Sequence, residues 1–369
     1  MIRVLFVDDE PMLLQGLRRM LRSKRGDWDM AFAESGEDAL AAIAASPVDI
    51  VVSDFRMPRM DGGELLGEVR RRHPDIARLV MSGFAEDEGI LRTIDPAHQF
   101  LSKPCPAERL IDVVSRVAAA RDALGPGEVR RFMTGLSSLP AARAAHESLA
   151  AQCAAMAPVS TVAETLAGDV ALAAGAWRLT NSGFFGPSAG IPDIVRAAEA
   201  LGLETLDAVL AESTIFHPLA GDGDAAHWDA ANRAAVARTA VTRQFARHAG
   251  LAPQVADDAA CAAMILDIGA LALALMPNGP DGNAAAVTVY LATLWGFRAP
   301  IVNALSRFAD TGSETGPDAA AVLHVAAGLT PNVDGSAAAG IDPSRLAAGL
   351  ADAFETFRRA TDAQIRMAG

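Results

Sequence analysis

Two rhythms alternate through the first third of the chain. Residues 2–7 form a short β-rich apolar run, and Leu13, Leu14, Leu17, Met20 and Leu21 then recur at helical spacing. The alternation continues with a strand at 30–33 and a helix at 36–45, for which Ser35 is the predicted N-cap. Residues 48–53, apolar apart from Asp49 and Ser53, read as a strand buried on both faces. A helix at 63–71 stops at His73-Pro74. Strands at 78–81 and 99–102 bracket a helix at 86–94, and a last helix runs from 107 to about 124. Five strands alternating with five helices predict an α/β doubly wound, five-stranded parallel sheet of flavodoxin-like type. Ligands of such a sheet sit at the carboxyl ends of its strands.

Gly125-Pro126-Gly127 ends this pattern, and helical signal dominates beyond it, broken by loops at 181–187, 221–224 and 277–283. The predicted layout is an α/β domain at 1–122, a linker or helix extension at 123–131, an all-α domain at 132–331 and a helical extension at 332–369. Asp342-Pro343 reads as an N-cap with Pro at N1, opening a helix with Leu346, Leu350, Phe354 and Phe357 on one face.

A length of 369 residues suits two or three domains. Mean hydropathy is high at +0.22, but alanine carries much of it. No stretch approaches the ~20 apolar residues of a membrane span. Asp8 and Asp9 fall where a secretory leader would be apolar. Cys105, Cys153 and Cys261 form no CxxC, which excludes a disulfide framework or zinc ribbon and predicts a reducing, cytoplasmic setting. A net charge of -13 argues against binding a nucleic-acid backbone. Of 32 basic residues, only Lys24 and Lys103 are lysine. A lysine kept against such a bias marks a place where a compact ammonium is needed and a planar guanidinium does not fit.

Asp8 and Asp9 close the first strand, Asp54 the third and Ser82 the fourth, and Lys103 follows the fifth. All five therefore meet at one sheet edge. Crowded carboxylates repel and favour a divalent cation, and an oxygen-rich set with few ligands suits Mg²⁺, which keeps waters and takes a phosphate oxygen. Lysine supplies a point charge for that phosphate and serine a hydroxyl donor. The set suits in-line attack of an aspartate on a phosphoryl group, with metal and lysine neutralising the transition state.

Val7-Asp8-Asp9-Glu10, Asp54-Phe55-Arg56-Met57-Pro58 with Met60-Asp61-Gly62, Met81-Ser82-Gly83 and Lys103-Pro104 resemble the receiver domain of two-component response regulators over residues 1–122. The resemblance implies that Asp54 is the phospho-acceptor. It also implies that Asp8, Asp9, Asp54 and the backbone carbonyl of Arg56 hold Mg²⁺. Ser82 is then the switch hydroxyl, Lys103 the phosphate partner and Phe100 the switch aromatic, and Pro104 fits the cis-proline usual after this lysine. Expected partners are a cognate histidine kinase or phosphotransfer protein and an unknown downstream protein, with no DNA and no membrane. A homodimer through the face built by the last strand and last two helices is a further expectation.

The second domain resembles HDOD, a relative of HD phosphohydrolases. The resemblance rests on Leu136-Ser137-Ser138-Leu139-Pro140, Asp169, 181–186, 197–202, Trp228, 264–269 and Trp295-Gly296-Phe297. HD enzymes hold metals with His and Asp on facing helices. Here those positions are Ala230, Leu266, Asp267, Phe308 and Ala309, so Asp267 alone survives and is expected to cap a helix or bond backbone amides. His217, His227, His248 and His324 restore no set. The expected function is a phosphorylation-dependent response regulator whose non-catalytic output domain works through protein contacts. The helix from Ala107 into the linker would transmit the change. The alternatives left open are a metal-dependent phosphohydrolase acting on a cyclic dinucleotide and a pseudo-enzyme that retains nucleotide binding. A transcription factor is disfavoured by charge and by the lack of a recognition helix. Asn181-Ser182 is expected to form a structural turn, and Phe184-Phe185 to be buried or at a domain contact.

Overall fold

The computed structural model describes residues 1–83, 95–182, 190–221, 225–277, 282–309, 318–330, 346 and 348–368. Strands β1 (Ile2–Val7), β2 (Trp28–Ala33), β3 (Ile50–Asp54), β4 (Ala77–Ser82) and β5 (Gln99–Ser102) form a parallel sheet in the order β2-β1-β3-β4-β5. Every residue of β3 is buried, as its apolar Ile50–Val52 run leads one to expect of a strand covered on both faces. Helices α1 (Pro11–Met20), α2 (Gly36–Ala45), α3 (Gly62–Arg72) and α4 (Ala107–Leu124) accompany the sheet. Ser35 caps α2 by accepting from the Asp38 amide. Asp61 and Glu64 form a reciprocal capping box that starts α3. The helix expected at 86–94 lies outside the described residues.

Helix α4 does not run on into the linker. It stops at Gly125, and both Gly125 (φ +74°) and Gly127 (φ +138°) take left-sided backbone angles before α5 (Glu128–Gly135) begins. The helical region that follows comprises α6 (Arg143–Ala154), α7 (Val159–Ala167), α8 (Val170–Thr180), α9 (Ile194–Glu212, broken at Gly202) and α10 (Ala225–His248). It continues through α11 (Pro253–Met264), α12 (Ile268–Ala274), α13 (Ala284–Leu294), α14 (Ala299–Ala309), α15 (Ala319–Leu329) and α16 (Ala348–Ala368).

Burial explains the alanine. All of α8 is buried, as are Asp258 to Met264 of α11 and most of α15. A helix enclosed on every side is apolar all round, and small side chains let its neighbours approach. Asp169, fully buried, opens α8. One of its oxygens accepts from the Ala171 and Leu172 amides, and the other from the Ala142 amide and the Asn232 side chain. Leu346, Leu350, Phe354 and Phe357 are buried, with Phe357 edge-on to Phe245 at 5.6 Å. Asp342-Pro343 lies outside the described residues, and the described part of that helix begins at Ala348.

The α/β and helical regions are packed together. Helix α4 lies against α13, and Arg116 of α4 donates to the Phe297 carbonyl at 3.0 Å. The face expected to pair two receivers is thus partly covered by the chain's own helical region.

Candidate functional site

Parallel strand order delivers Asp8, Asp54 and Lys103 to one end of the sheet, because β1, β3 and β5 all finish there. Lys103 Nζ lies 2.9 Å from Asp8 Oδ2 and also ion-pairs with Asp54 Oδ1. The other oxygens are occupied by backbone donors: Asp8 Oδ1 accepts from the Glu10 amide at 3.0 Å, and Asp54 Oδ2 from the Arg56 amide at 3.1 Å. Burial pushes the Asp54 carboxyl above its ordinary value, Lys103 pulls it down, and the Asp8 charge raises it again. Burial opposes the charge of Lys103, but its bonds to Asp54 and Asp8 outweigh that and hold it above the usual lysine value. The Lys103–Pro104 bond is cis.

Close approach shapes the loop beneath the cluster. A Cβ on Gly62 would stand 2.3 Å from the Asp54 carbonyl oxygen, so only glycine lets α3 start beside the acid. Asp9 is half-exposed, and among the described residues no three His, Cys, Asp or Glu side chains are close enough together to hold a metal. Asp8 and Asp54 converge on Lys103 at this edge. Ser82 Oγ donates to the Gly83 carbonyl at 2.8 Å, and the Lys103 amide is tied to the Ser82 carbonyl at 2.7 Å. Phe100 is buried within β5, and the Arg56 side chain is exposed. Beside the cluster runs an apolar groove of about 550 Å³ lined by Met12, Leu13, Leu17, Met20, Pro104 and Cys105.

The HD-type positions form no comparable set. Ala230 is half-buried on α10, Leu266 precedes Asp267 between α11 and α12, Phe308 packs near the His324 ring at 6.3 Å, and Ala309 ends α14. Asp267 makes no capping bond, contrary to expectation. Its Oδ2 instead accepts from Arg238 at 2.8 Å, and that buried guanidinium also holds the Ala263 carbonyl. A charge-assisted bond to a fixed cation holds the acid more strongly than a bond to a neutral backbone amide would. His217 bonds the Thr214 carbonyl, His227 meets the Trp228 ring and His248 meets Thr356. Asn181 and Ser182 form a turn in which Asn181 Oδ1 accepts from the Ile191 amide at 2.8 Å, and Phe184-Phe185 lies outside the described residues.

Sequence reasoning missed a cluster at the opposite end of β4 and β5. Arg78, fully buried, donates to the carbonyls of Pro96, Ile76 and Thr134. Arg178, at the end of α8, reaches the carbonyls of Ala97 and Ser137. Between them His98 Nδ1 accepts from the Arg78 amide at 2.9 Å, which leaves the Nε2 proton for the Thr134 carbonyl at 2.8 Å. Burial, then Arg78 and Arg178, push His98 well below the usual histidine value. Burial and neighbouring guanidiniums bring Arg78 down to about 9, and burial brings Arg178 down to about 10. An arginine opening an otherwise apolar strand was the available signal.

Family models match this chain twice: the response regulator receiver domain at residues 4–115 and the HDOD domain at residues 136–286. The chain is 36% identical over 124 residues to the hydrogenase transcriptional regulatory protein HoxA of Cupriavidus necator, covering 33% of this chain and 25% of that protein. It is 39% identical over 123 residues to the sensor kinase CckA of Brucella abortus, covering 32% of this chain and 13% of the kinase. The response regulator protein FleR of Pseudomonas aeruginosa is 35% identical over 117 residues, covering 31% of this chain and 24% of FleR. The chain thus spans a quarter or less of the length of these relatives. Among solved structures, an uncharacterized protein from Neptuniibacter caesariensis is 34% identical, covering 34% of this chain and 97% of that one with a TM-score of 0.31. The signal receiver domain of an HD domain-containing protein from Pseudomonas fluorescens Pf-5 is 27% identical, covering 31% and 92%, with a TM-score of 0.30.

Proposed function

We propose that this chain, which carries a response regulator receiver domain followed by an HDOD domain, is a phosphorylation-controlled regulator whose helical domain signals by protein contacts rather than by catalysis. The observation that carries the reading is Lys103 shared between Asp8 and Asp54 at the carboxyl edge of the sheet. Asp54 is the phospho-acceptor. Its carboxylate attacks the phosphorus of a phospho-imidazole or acyl phosphate, and the donor leaves with the bond electrons. Lys103 follows the transferred oxygens as a point charge, and Ser82 gives the hydroxyl donor. Mg²⁺ fits the oxygen-only donors present: Asp8, Asp9, Asp54 and the Arg56 carbonyl would hold it. Such a cation, when bound, neutralises charge on the phosphoryl group. The phosphodonor is a histidine kinase or phosphotransfer protein. The exposed Met12, Leu13 and Met20 beside Lys103 offer it an apolar seat. The receiver spans 1–122 and the output domain 132–331, and the whole works in the cytoplasm. Among the described residues no helix is long and apolar enough to cross a membrane.

The non-catalytic reading of the output domain rests on Asp267 being held by Arg238 instead of by imidazole neighbours. Incubation with acetyl phosphate and Mg²⁺, read by intact mass, should add one phosphoryl group to the wild type and none to Asp54→Asn. Stoichiometric zinc, iron or manganese retained by the full chain after dialysis, together with turnover of a cyclic dinucleotide, would contradict the silent output domain.

A further inference from the structure

The carbonyls that close α13 face the receiver, and the receiver contacts them with side chains of two different elements. Helix α13 ends in a Schellman motif: the Gly296 amide bonds the Thr293 carbonyl, and the Phe297 amide bonds the Ala292 carbonyl. Gly296 has φ +79°, which favours glycine at this place. A Cβ there would also come within 3.2 Å of Gln99 Cγ. Gln99, buried at the start of β5, donates through Nε2 to the Thr293 carbonyl at 2.7 Å. Arg116 of α4 donates to the Phe297 carbonyl at 3.0 Å. Phe297 is itself buried and meets Trp177 of α8 edge-on at 6.4 Å. The receiver thus grips one turn, Thr293 to Phe297, whose aromatic ring is set into the centre of the output domain.

Gln99 also stands on the strand that ends at the phosphorylation edge. Strand β5 is four residues long, Phe100 follows Gln99, and Lys103 comes directly after the strand. At about 3.3 Å per residue Gln99 and Lys103 lie roughly 13 Å apart along the backbone. With Lys103 held by Asp8 and Asp54, both side-chain bonds to the turn are made. A phosphoryl group can shift this equilibrium only by interacting differently with the two states. It would do so here by drawing Lys103 away from the carboxylates, which moves the end of β5.

We infer that the Thr293–Phe297 turn is the element of the output domain that reads the receiver. Gln99 and Arg116 clamp it in the unphosphorylated chain, and phosphorylation releases it together with the β5–α4 face. This rests on the reading of Asp54 as phospho-acceptor. The same face is the one expected to pair two receivers, so intramolecular clamping and pairing exclude each other.

Hydrogen-exchange mass spectrometry of the full chain, with and without beryllofluoride and Mg²⁺, tests it. Amides in 293–298 should exchange on the order of ten-fold faster with beryllofluoride, the size of a typical coupling between sites. The Gln99→Ala/Arg116→Ala protein should show the fast rate without it and gain little more. Should that double variant fail to fold, Gln99→Glu, which sets a carboxylate against the Thr293 carbonyl, should give the same acceleration. Unchanged exchange at 293–298, in a protein whose intact mass shows a phosphoryl group gained from acetyl phosphate at Asp54, would overturn the inference and leave the function standing. Failure of Asp54 to accept a phosphoryl group would overturn both.

Discussion

At their carboxyl ends β4 and β5 open onto a partly solvated, acid-rich edge, where Lys103 lies between Asp8 and Asp54. At their amino ends the same two strands run into a buried, cation-rich junction, where Arg78, His98 and Arg178 are met by main-chain carbonyls. One end has an ion pair partly open to solvent, which suits a group that must come and go. The other has buried side chains with directional bonds to backbone dipoles, which suits a join between domains. A charge at the first end can be replaced by another ligand. A charge at the second, once stranded, has no partner to turn to.

The comparison is tested most severely by Arg78→Met. Removing the guanidinium strands the carbonyls of Ile76, Pro96 and Thr134 inside the junction, so urea unfolding of the full chain should show a loss of about 3 kcal/mol or more, at about 1–3 kcal/mol per unsatisfied buried group. A loss under about 1 kcal/mol would mean that the junction is wet and that the contrast fails. The histidine gives the next largest effect. His98 is neutral when folded and has its ordinary affinity for a proton, near pH 6.5, when unfolded. Its contribution is therefore intact above about pH 6.5. Below that the unfolded chain alone takes the proton, and stability falls by about 1.4 kcal/mol per pH unit. His98→Gln should flatten this acid limb between pH 6.5 and 5, and parallel limbs would contradict a neutral, buried ring.

At the other edge the sign reverses. Asp54→Asn relieves a carboxylate raised by burial and by Asp8, at the loss of its pairing with Lys103, and should raise stability by about 1 kcal/mol or less. A loss of several kcal/mol would show the acid edge to be structural. Smallest in stability is Lys103→Arg, which keeps the positive charge. It should leave the urea midpoint within about 0.5 kcal/mol while abolishing the exchange response to beryllofluoride. Normal switching by this variant would refute the argument from the scarcity of lysine.

Much of the first edge was legible in the sequence because strand ends are local signals. Val7 before Asp8, Ser53 before Asp54 and Ser102 before Lys103 each follow an apolar run, and parallel topology does the rest. Capping was legible for the same reason at Ser35 but not at Asp267, whose partner is Arg238 on a different helix. The junction was not legible. Arg178 meets Ala97 across 81 positions and Gln99 meets Thr293 across 194, and no periodicity announces a bond to a distant carbonyl. Arg78 read as an ordinary strand residue because a buried guanidinium held by backbone dipoles has the same local sequence as an exposed one. Alanine-rich helices hid their order of packing too, since α8 and α11 show little amphipathic pattern to tell one neighbour from another.

Borohydride trapping tests the central claim most directly. An acyl phosphate on aspartate is reduced to homoserine, which tandem mass spectrometry locates to a single residue. After treatment with acetyl phosphate and Mg²⁺, the wild-type chain should carry homoserine at position 54, and Asp54→Asn should carry none. Homoserine at Asp8, Asp9 or any other aspartate in the wild type, or trapping undiminished in Asp54→Asn, would contradict the assignment of Asp54 and the account of the acid edge with it.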